Sequence, residues 1–251
     1  MKISLGWITR KRTPQLIYSI CSFVQNANNP QDIELIISVD NDDKETIDAI
    51  KGIWPFLNIS RTNVQVLLTE RYGYDHMDKY HRNAGGHFTG DCFIMPSDDV
   101  FCLTQGWDDI VKKEVEPYIN EPALIQTQPV EDRSKFWPTM PGITKKWWEV
   151  TKNIMCYTAG DIYLANLVKR CKLRTIKPDY EVRQISRIYY KKDNWLERDD
   201  THFEGRDCKD EVKSYLAEPY QKRRSHKEDD GIHTEEVDVK NLMKWKKDNG
   251  K

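Results

Sequence analysis

Two rhythms of apolar and polar positions alternate along the first hundred residues. "ISLGWITR" (3–10) and "IELIISVD" (33–40) are near-continuous apolar runs. Rich in isoleucine and valine, the second reads as a strand of a parallel sheet buried on both faces. "VQVLLTE" (64–70) and "DCFIMP" (91–96) read as two further strands. Between them the period changes. "TPQLIYSICSFVQNA" has a proline near its start and places Leu16, Ile20, Phe23 and Val24 at helical spacing. "DKETIDAIKGIW" predicts a second helix, and "HMDKYHRNAGGHF" a third whose glycines weaken its end. This β-α-β-α order predicts an α/β fold with an open, mainly parallel sheet flanked by helices.

From residue 106 the elements mix. "GWDDIVKKEVEPYI" predicts an amphipathic helix, "ALIQTQPV" a strand, and "GITKKWWEVTKNI" and "GDIYLANLVKRC" two helices. "LRTIKPDYEVRQIS" reads as extended and basic. Beyond residue 190 charge dominates, which predicts a charged, partly helical C-terminal tail. The chain thus divides at 1–105, 106–190 and 191–251. Its last stretch, "VDVKNLMKWKKDNG", is expected to dock on the domain or fray, with a membrane surface as the alternative.

Bulk properties narrow the classes. A length of 251 residues suits one large domain or two small ones. A formal net charge of −1 does not favour nucleic acid as a partner, although a local basic patch stays open. No run approaches the ~20 apolar residues of a membrane span, and "MKISLGWITR" lacks the pattern of a signal peptide. None of the six cysteines forms a C-x-x-C pair, which argues against a zinc knuckle; reduced thiols are expected, and the missing signal pattern and span predict a cytoplasmic location or release without a secretory signal. The eight tryptophans exceed what a core needs and suit the lining of a cleft.

Candidate chemistry gathers at strand ends, where open α/β sheets bind ligands. The first strand ends in Thr9, Arg10, Lys11 and Arg12. The second ends in Asp40, followed by Asn41, Asp42 and Asp43. The fourth ends in Ser97, Asp98 and Asp99. Hydroxyl, cationic and anionic groups on one rim suit a nucleotide diphosphate. Two carboxylates alone would repel phosphate, and a hard divalent cation, Mn2+ or Mg2+, reverses that sign. The alternative is that Asp98 and Asp99 cap a turn or open the next helix.

The ordered set "ITRKRTPQLIYSICSF", "ELIISVDNDD" and "YHRNAGGHFTGDCFIMPSDDV" resembles the GT-A fold nucleotide-sugar glycosyltransferases, close to the family 2-like group. The likeness is good over residues 3 to about 105, moderate to about 172 and weak beyond. It implies a metal-dependent glycosyltransferase that moves a sugar from a nucleotide-sugar donor, a UDP-sugar by likeness, to a hydroxyl of a glycan or other acceptor. It makes 1–105 the nucleotide-sugar-binding half, 106–190 the acceptor-binding half of the same domain, and 191–251 an extension. Thr9 and Asp40 match the positions that contact the base, Asp98 the carboxylate near the ribose, and Asp99 the metal ligand. Arg10, Arg12, Arg82 and Asn83 join the nucleotide-binding set. Ser97 stands where many relatives have an aspartate, which makes the metal site leaner.

Asp161, in "CYTAGDIYLANLVKRC", matches the family's catalytic base at the start of a helix. The helix dipole there favours an ionised carboxylate, and a base that removes the acceptor's proton implies inversion at the anomeric carbon. Relatives often carry two adjacent acids, whereas this chain has Gly160 before Asp161; a plain N-cap is the alternative, and it leaves a retaining route open. Trp137, Trp147 and Trp148 match the acceptor pocket. Adjacent Trp147 and Trp148 cannot face one way, so at least one belongs to the core. His202 is the late histidine expected to complete the metal sphere, with a surface histidine as the alternative. The rival classes are a nucleotidyltransferase, which usually carries a glycine-rich loop after its first strand, and a non-catalytic nucleotide-sugar-binding module. Ser97 and the unpaired Asp161 support the second.

Overall fold

The computed structural model describes residues 1–73, 76–128, 140–155, 160–184 and 235–250, without the side chains of Gly160 and Asp161. The described elements in chain order are β1 (Ile3–Thr9), α1 (Thr13–Gln25), β2 (Ile33–Asp40), α2 (Lys44–Ile59), β3 (Asn63–Thr69) and α3 (Met77–His87). Next come β4 (Cys92–Ile94), β5 (Val100–Cys102), α4 (Trp107–Val115), β6 (Ala123–Thr127) and β7 (Met140–Thr144). α5 (Lys145–Thr151), α6 (Gly160–Cys171), β8 (Arg174–Ile176), β9 (Val182–Gln184) and α7 (Glu235–Asp248) follow. Seven strands form one sheet in the order β3-β2-β1-β4-β7-β6-β8. Within it only β7 runs against the others. β5 and β9 pair separately as an antiparallel ribbon.

Burial explains why the apolar runs became central strands. Every residue of β2 is buried, and its two faces feed two different clusters. Leu35, Ile37 and Val39 pack with α1, α2 and α4, whereas Ile36 packs with α3, α5, α6 and α7. Each large side chain so buried contributes ~1.5–3 kcal/mol. On the first face, Trp7, Phe23 and Trp107 meet edge to face at centroid distances of 5.9 and 5.2 Å. Their indole N–H groups donate to Ser19 Oγ and the Phe23 carbonyl, so no indole donor of this trio is stranded. On the second face Gly6 is required. A Cβ there would lie 2.2 Å from the Phe93 ring, which itself stacks on Phe88.

The structure corrects three sequence expectations. The stretch expected as one helix from Gly142 is a strand through Thr144, and helix begins only at Lys145. β7 is buried along its whole length between β4 and β6, and a Cβ on Gly142 would come within 3.0 Å of the Phe93 carbonyl. Tertiary pairing there outweighs the helical pattern of the residues that follow. The second correction is α2, which continues past Trp54 to Ile59 with Pro55 on its exposed face. The third is the β5–β9 ribbon, whose three-residue strands are too short to leave a periodic signal.

The last stretch docks. Leu242 is buried against α5 and α6, and the buried Asp238 accepts hydrogen bonds from Asn153 Nδ2 and the Tyr163 hydroxyl. Arg170 on α6 pairs with Glu235 and Glu236 on α7, and Lys246 donates to the carbonyls of Cys171 and Lys172 at the end of α6. No described helix is long and apolar enough to cross a membrane. Cys21, Cys92, Cys102 and Cys171 are free thiols, and burial pushes the Cys102 thiol up to about 12.

Candidate functional site

The carboxyl ends of β1, β2 and β4 meet at one rim of the sheet, because these three parallel strands are neighbours. The chain leaves β1 through Arg10, Lys11 and Arg12 before Pro14 opens α1. Lys11 adopts a left-handed backbone (φ 51°), a conformation that costs a non-glycine residue about 1 kcal/mol. Its N–H donates to Asp43 Oδ2, which ties the bend to the N-cap of α2. The flanking arginines then reach different acids.

Arg10 donates to Asp40 at 3.0 Å and to both oxygens of Asp42. The hydrogen bond with Asp42 raises the Arg10 pKa despite partial burial and holds the Asp42 carboxyl below its usual range. Asp40 is saturated from its other side by the Tyr80 hydroxyl, 2.6 Å away on α3. Burial, then the bond to Asp40, pushes the Tyr80 hydroxyl up to about 12. The same oxygen accepts from the backbone N–H of Tyr72, so it also fastens the segment after β3.

Arg12 meets the second pair. Asp98 and Asp99 are the central residues of a turn closed by the Val100 N–H on the Ser97 carbonyl, and they are 5% and 3% exposed. Asp98 accepts from Thr9 Oγ1 at 3.0 Å and from Arg12 Nη1. Asp99 lies 3.5 Å from Arg12 Nη2 and accepts from Gln184 Nε2 at 3.1 Å. The acids therefore both shape a turn and face the rim. Such nearly buried carboxylates persist because each has a cationic or hydrogen-bonding partner.

Of the residues expected from the sequence, Thr9, Arg10, Arg12, Asp40, Asp98 and Asp99 come together here. Arg82 pairs with Asp78 at 3.6 Å one turn earlier on α3, and Asn83 follows it on the helix that carries Tyr80. Asp161 occupies the start of α6, with its side chain outside the described set. Trp137 and His202 lie outside the described residues. Trp147 is enclosed in the core, and Trp148 is the member of the pair that reaches the surface, packed edge-on to Phe88. Its ring and Ile154 sit where a Cβ on Gly85 would be, 2.7 Å away, which explains one of the glycines that seemed only to weaken α3.

Two neighbours of the candidate site were invisible in the sequence. Tyr80 stands in the flagged helix without any motif of its own. Gln184 lies 85 residues from Asp99 and is delivered by the pairing of β9 with β5, which sets it opposite Val100.

Among the described residues no group of three or more His, Cys, Asp and Glu side chains converges as a metal centre. The donor chemistry nevertheless fits Mn2+ or Mg2+. Such cations are commonly held by one or two carboxylates, with substrate phosphates and water supplying the rest, and Asp98 and Asp99 offer hard oxygens on a single turn.

No protein-family model matches the chain, and no curated protein matches it. Among solved structures it is similar to S. aureus TarS 1-349 in complex with UDP, with 12% identity and a TM-score of 0.58 over 100% of this chain and 92% of that one. It is similar to TarS 1-349 in complex with UDP-GlcNAc, with 13% identity and a TM-score of 0.54 over 72% of this chain and 57% of that one. It is also similar to the mannosyltransferase PcManGT from Pyrobaculum calidifontis in complex with GDP-Man and Mn2+, with 15% identity and a TM-score of 0.58. That match covers 74% of this chain and 57% of the mannosyltransferase, so the chain spans little more than half of that protein's length. At such identities the likeness is one of architecture. The order of the strands, the single reversed strand and the shared backbone give this chain the GT-A fold of the glycosyltransferases it resembles.

Proposed function

We propose that the protein is a metal-dependent glycosyltransferase that moves a sugar from a UDP-sugar to a hydroxyl of a glycan or other acceptor, with inversion. One observation carries the reading: Thr9, Arg10, Arg12, Asp40, Asp98 and Asp99, from three strand ends, face one another on a single rim. Thr9, Asp40 and Asp98 would hold the nucleoside, with Arg82 and Asn83 along its side. Arg10 and Arg12 would turn from the carboxylates to the diphosphate, since guanidinium groups bind phosphate bidentately. Asp99, with Asp98 beside it and His202 as a further ligand, would hold the cation. When bound, the cation would neutralise charge on the departing diphosphate.

The chain's own groups handle the proton. The acceptor oxygen attacks the anomeric carbon as the bond to the diphosphate breaks, and the bonding pair leaves with the diphosphate. Asp161 takes the acceptor's proton. Its position supports this: α6 ends where β8 begins, at the amino-end rim, so its start lies toward the rim of Asp98 and Asp99. At 12 residues the helix is about 18 Å long, roughly the depth of the sheet. Trp137 would supply a flat face for the acceptor, whereas Trp148 packs on Phe88 towards the amino-end rim. A reducing compartment suits the free thiols, and the cytoplasm is the location we propose.

The test is a screen of nucleotide sugars with Mn2+ that measures nucleotide release. UDP release that needs Mn2+ and disappears in Asp99→Ala is expected. Pyrophosphate release would indicate a nucleotidyltransferase instead. A second reading has one observation in its favour: Arg12 already pairs with both Asp98 and Asp99. A binding module that holds a nucleotide sugar without transfer would need no more, and saturable UDP-sugar binding without turnover would select it.

A further inference from the structure

At the opposite rim, where β6 and β8 begin, α7 closes a cleft of about 600 Å3 against the sheet. Glu121, Lys172, Arg174, Thr175, Trp245 and Lys246 are prominent in its wall. This is the amino-end rim, because β6 and β8 run parallel to each other and β6 runs parallel to β4 across the reversed β7. The cleft therefore lies a full strand length from Thr9, Asp40 and Asp98.

Its lining combines three cations, one carboxylate, a hydroxyl and an indole. Two of the cations are fixed by the protein itself. The Arg174 guanidinium lies 4.0 Å from the centre of the Tyr118 ring, and Lys246 is held by the carbonyls of Cys171 and Lys172. Lys172 follows α6 in a left-handed conformation (φ 49°), at a position where glycine would be unstrained, and it is exposed. Positive charge placed in advance lowers the ordering cost of binding an anion. The volume falls within the range of small-ligand sites, although the lining is far more polar than usual. An indole beside hydroxyl and carboxylate acceptors suits a pyranose, whose C–H face rests on an aromatic ring while its hydroxyls hydrogen-bond.

We propose that this cleft is a second carbohydrate site that binds a saccharide bearing a phosphate or carboxylate group. The ring lies on Trp245, the anionic group between Lys172, Arg174 and Lys246, and hydroxyls reach Glu121 and Thr175. The site does not depend on transfer at the other rim.

The test is two-dimensional amide and indole NMR of the full chain, titrated with glucose 6-phosphate, glucuronate, glucose and inorganic phosphate. Both charged sugars should shift the Trp245 indole and the Lys172–Thr175 amides saturably. Glucose or phosphate alone should bind about tenfold more weakly, the loss expected for one charge-assisted contact. Lys172 and Arg174 are exposed, so a Lys172→Ala/Arg174→Ala variant keeps the fold, checked by its melting curve, and should also lose about tenfold. Asp99→Ala should bind the charged sugars as the wild type does, which separates this site from the donor rim. Absence of saturable shifts, equal binding by the double variant, or phosphate binding as tightly as glucose 6-phosphate would each overturn the proposal.

Discussion

At the amino-end rim Glu34 is wholly buried, and at the carboxyl-end rim Asp40, Asp98 and Asp99 are nearly so. Glu34 receives hydrogen bonds from Ser4 Oγ, the backbone N–H and hydroxyl of Thr89, Asn63 Nδ2 and Gln65 Nε2, with Lys2 at 3.3 Å. Most of these donors are neutral, short and anchored in strands or in the backbone. The rim aspartates instead face Arg10 and Arg12, long cations on a bend, as well as Thr9, Tyr80 and Gln184. A carboxylate satisfied by groups that cannot leave ties β1, β2, β3 and the approach to β4 together. A carboxylate satisfied by guanidinium groups on long side chains could give them up to an incoming anion. What distinguishes a site from a structural anchor here is the kind of partner, since burial is similar at both.

The largest effect expected from breaking this contrast is on chemistry. Asp161→Ala should slow transfer by about a thousandfold while UDP affinity stays unchanged, measured by single-turnover assay and calorimetry. Next, Glu34→Ala should cost about 3 kcal/mol of stability in denaturant unfolding and leave UDP affinity of the folded protein unaltered. If Glu34→Ala weakened UDP binding instead, the two rims would not be separable. Arg12→Ala should instead touch both properties: about tenfold weaker UDP binding, together with a lower melting temperature because Asp98 and Asp99 lose their shared cation.

Two smaller effects depend on pH. Burial alone would push the Glu34 carboxyl up, but the hydrogen bonds from Ser4 and Thr89 and the charge of Lys2 outweigh it and hold its pKa below the ordinary 4.5. The folded state therefore binds this proton less readily than the unfolded chain. The stabilisation is complete above pH 4.5 and is lost as pH falls through the lower folded value, and Glu34→Gln should remove that part of the acid slope. Tyr80 behaves oppositely. Its hydroxyl titrates at about 12 in place of 10, so its stabilisation is complete below pH 10 and lost between 10 and 12. Tyr80→Phe should cost about 1 kcal/mol at neutral pH and flatten the alkaline limb, followed by unfolding from pH 9 to 12.

The rim was legible because its groups stand directly after long apolar runs. "ISLGWITR" and "IELIISVD" identify β1 and β2, and a parallel sheet must present their ends side by side. Glu34 was equally visible as the lone charge inside the second run, yet only its six contacts reveal its role. β7 was hidden because "MPGIT" is short, carries proline and glycine, and takes its strand state from neighbours on both sides. Gln184 was hidden because its contact with Asp99 spans 85 residues and depends on a three-residue ribbon.

The reversed direction of β7 reaches beyond the sheet itself. β6 finishes and β7 starts at the rim of Thr9 and Asp40, so Thr127 and Met140, which pair with each other on either side of the stretch 129–139, both stand at the rim proposed to hold the nucleotide. A segment entering and leaving through adjacent doors can be exchanged without redirecting any strand. If the proposed transfer holds, replacement of residues 129–139 should change which acceptor is taken while the donor preference stays as it is, leaving evolution or an engineer free to vary one substrate at a time.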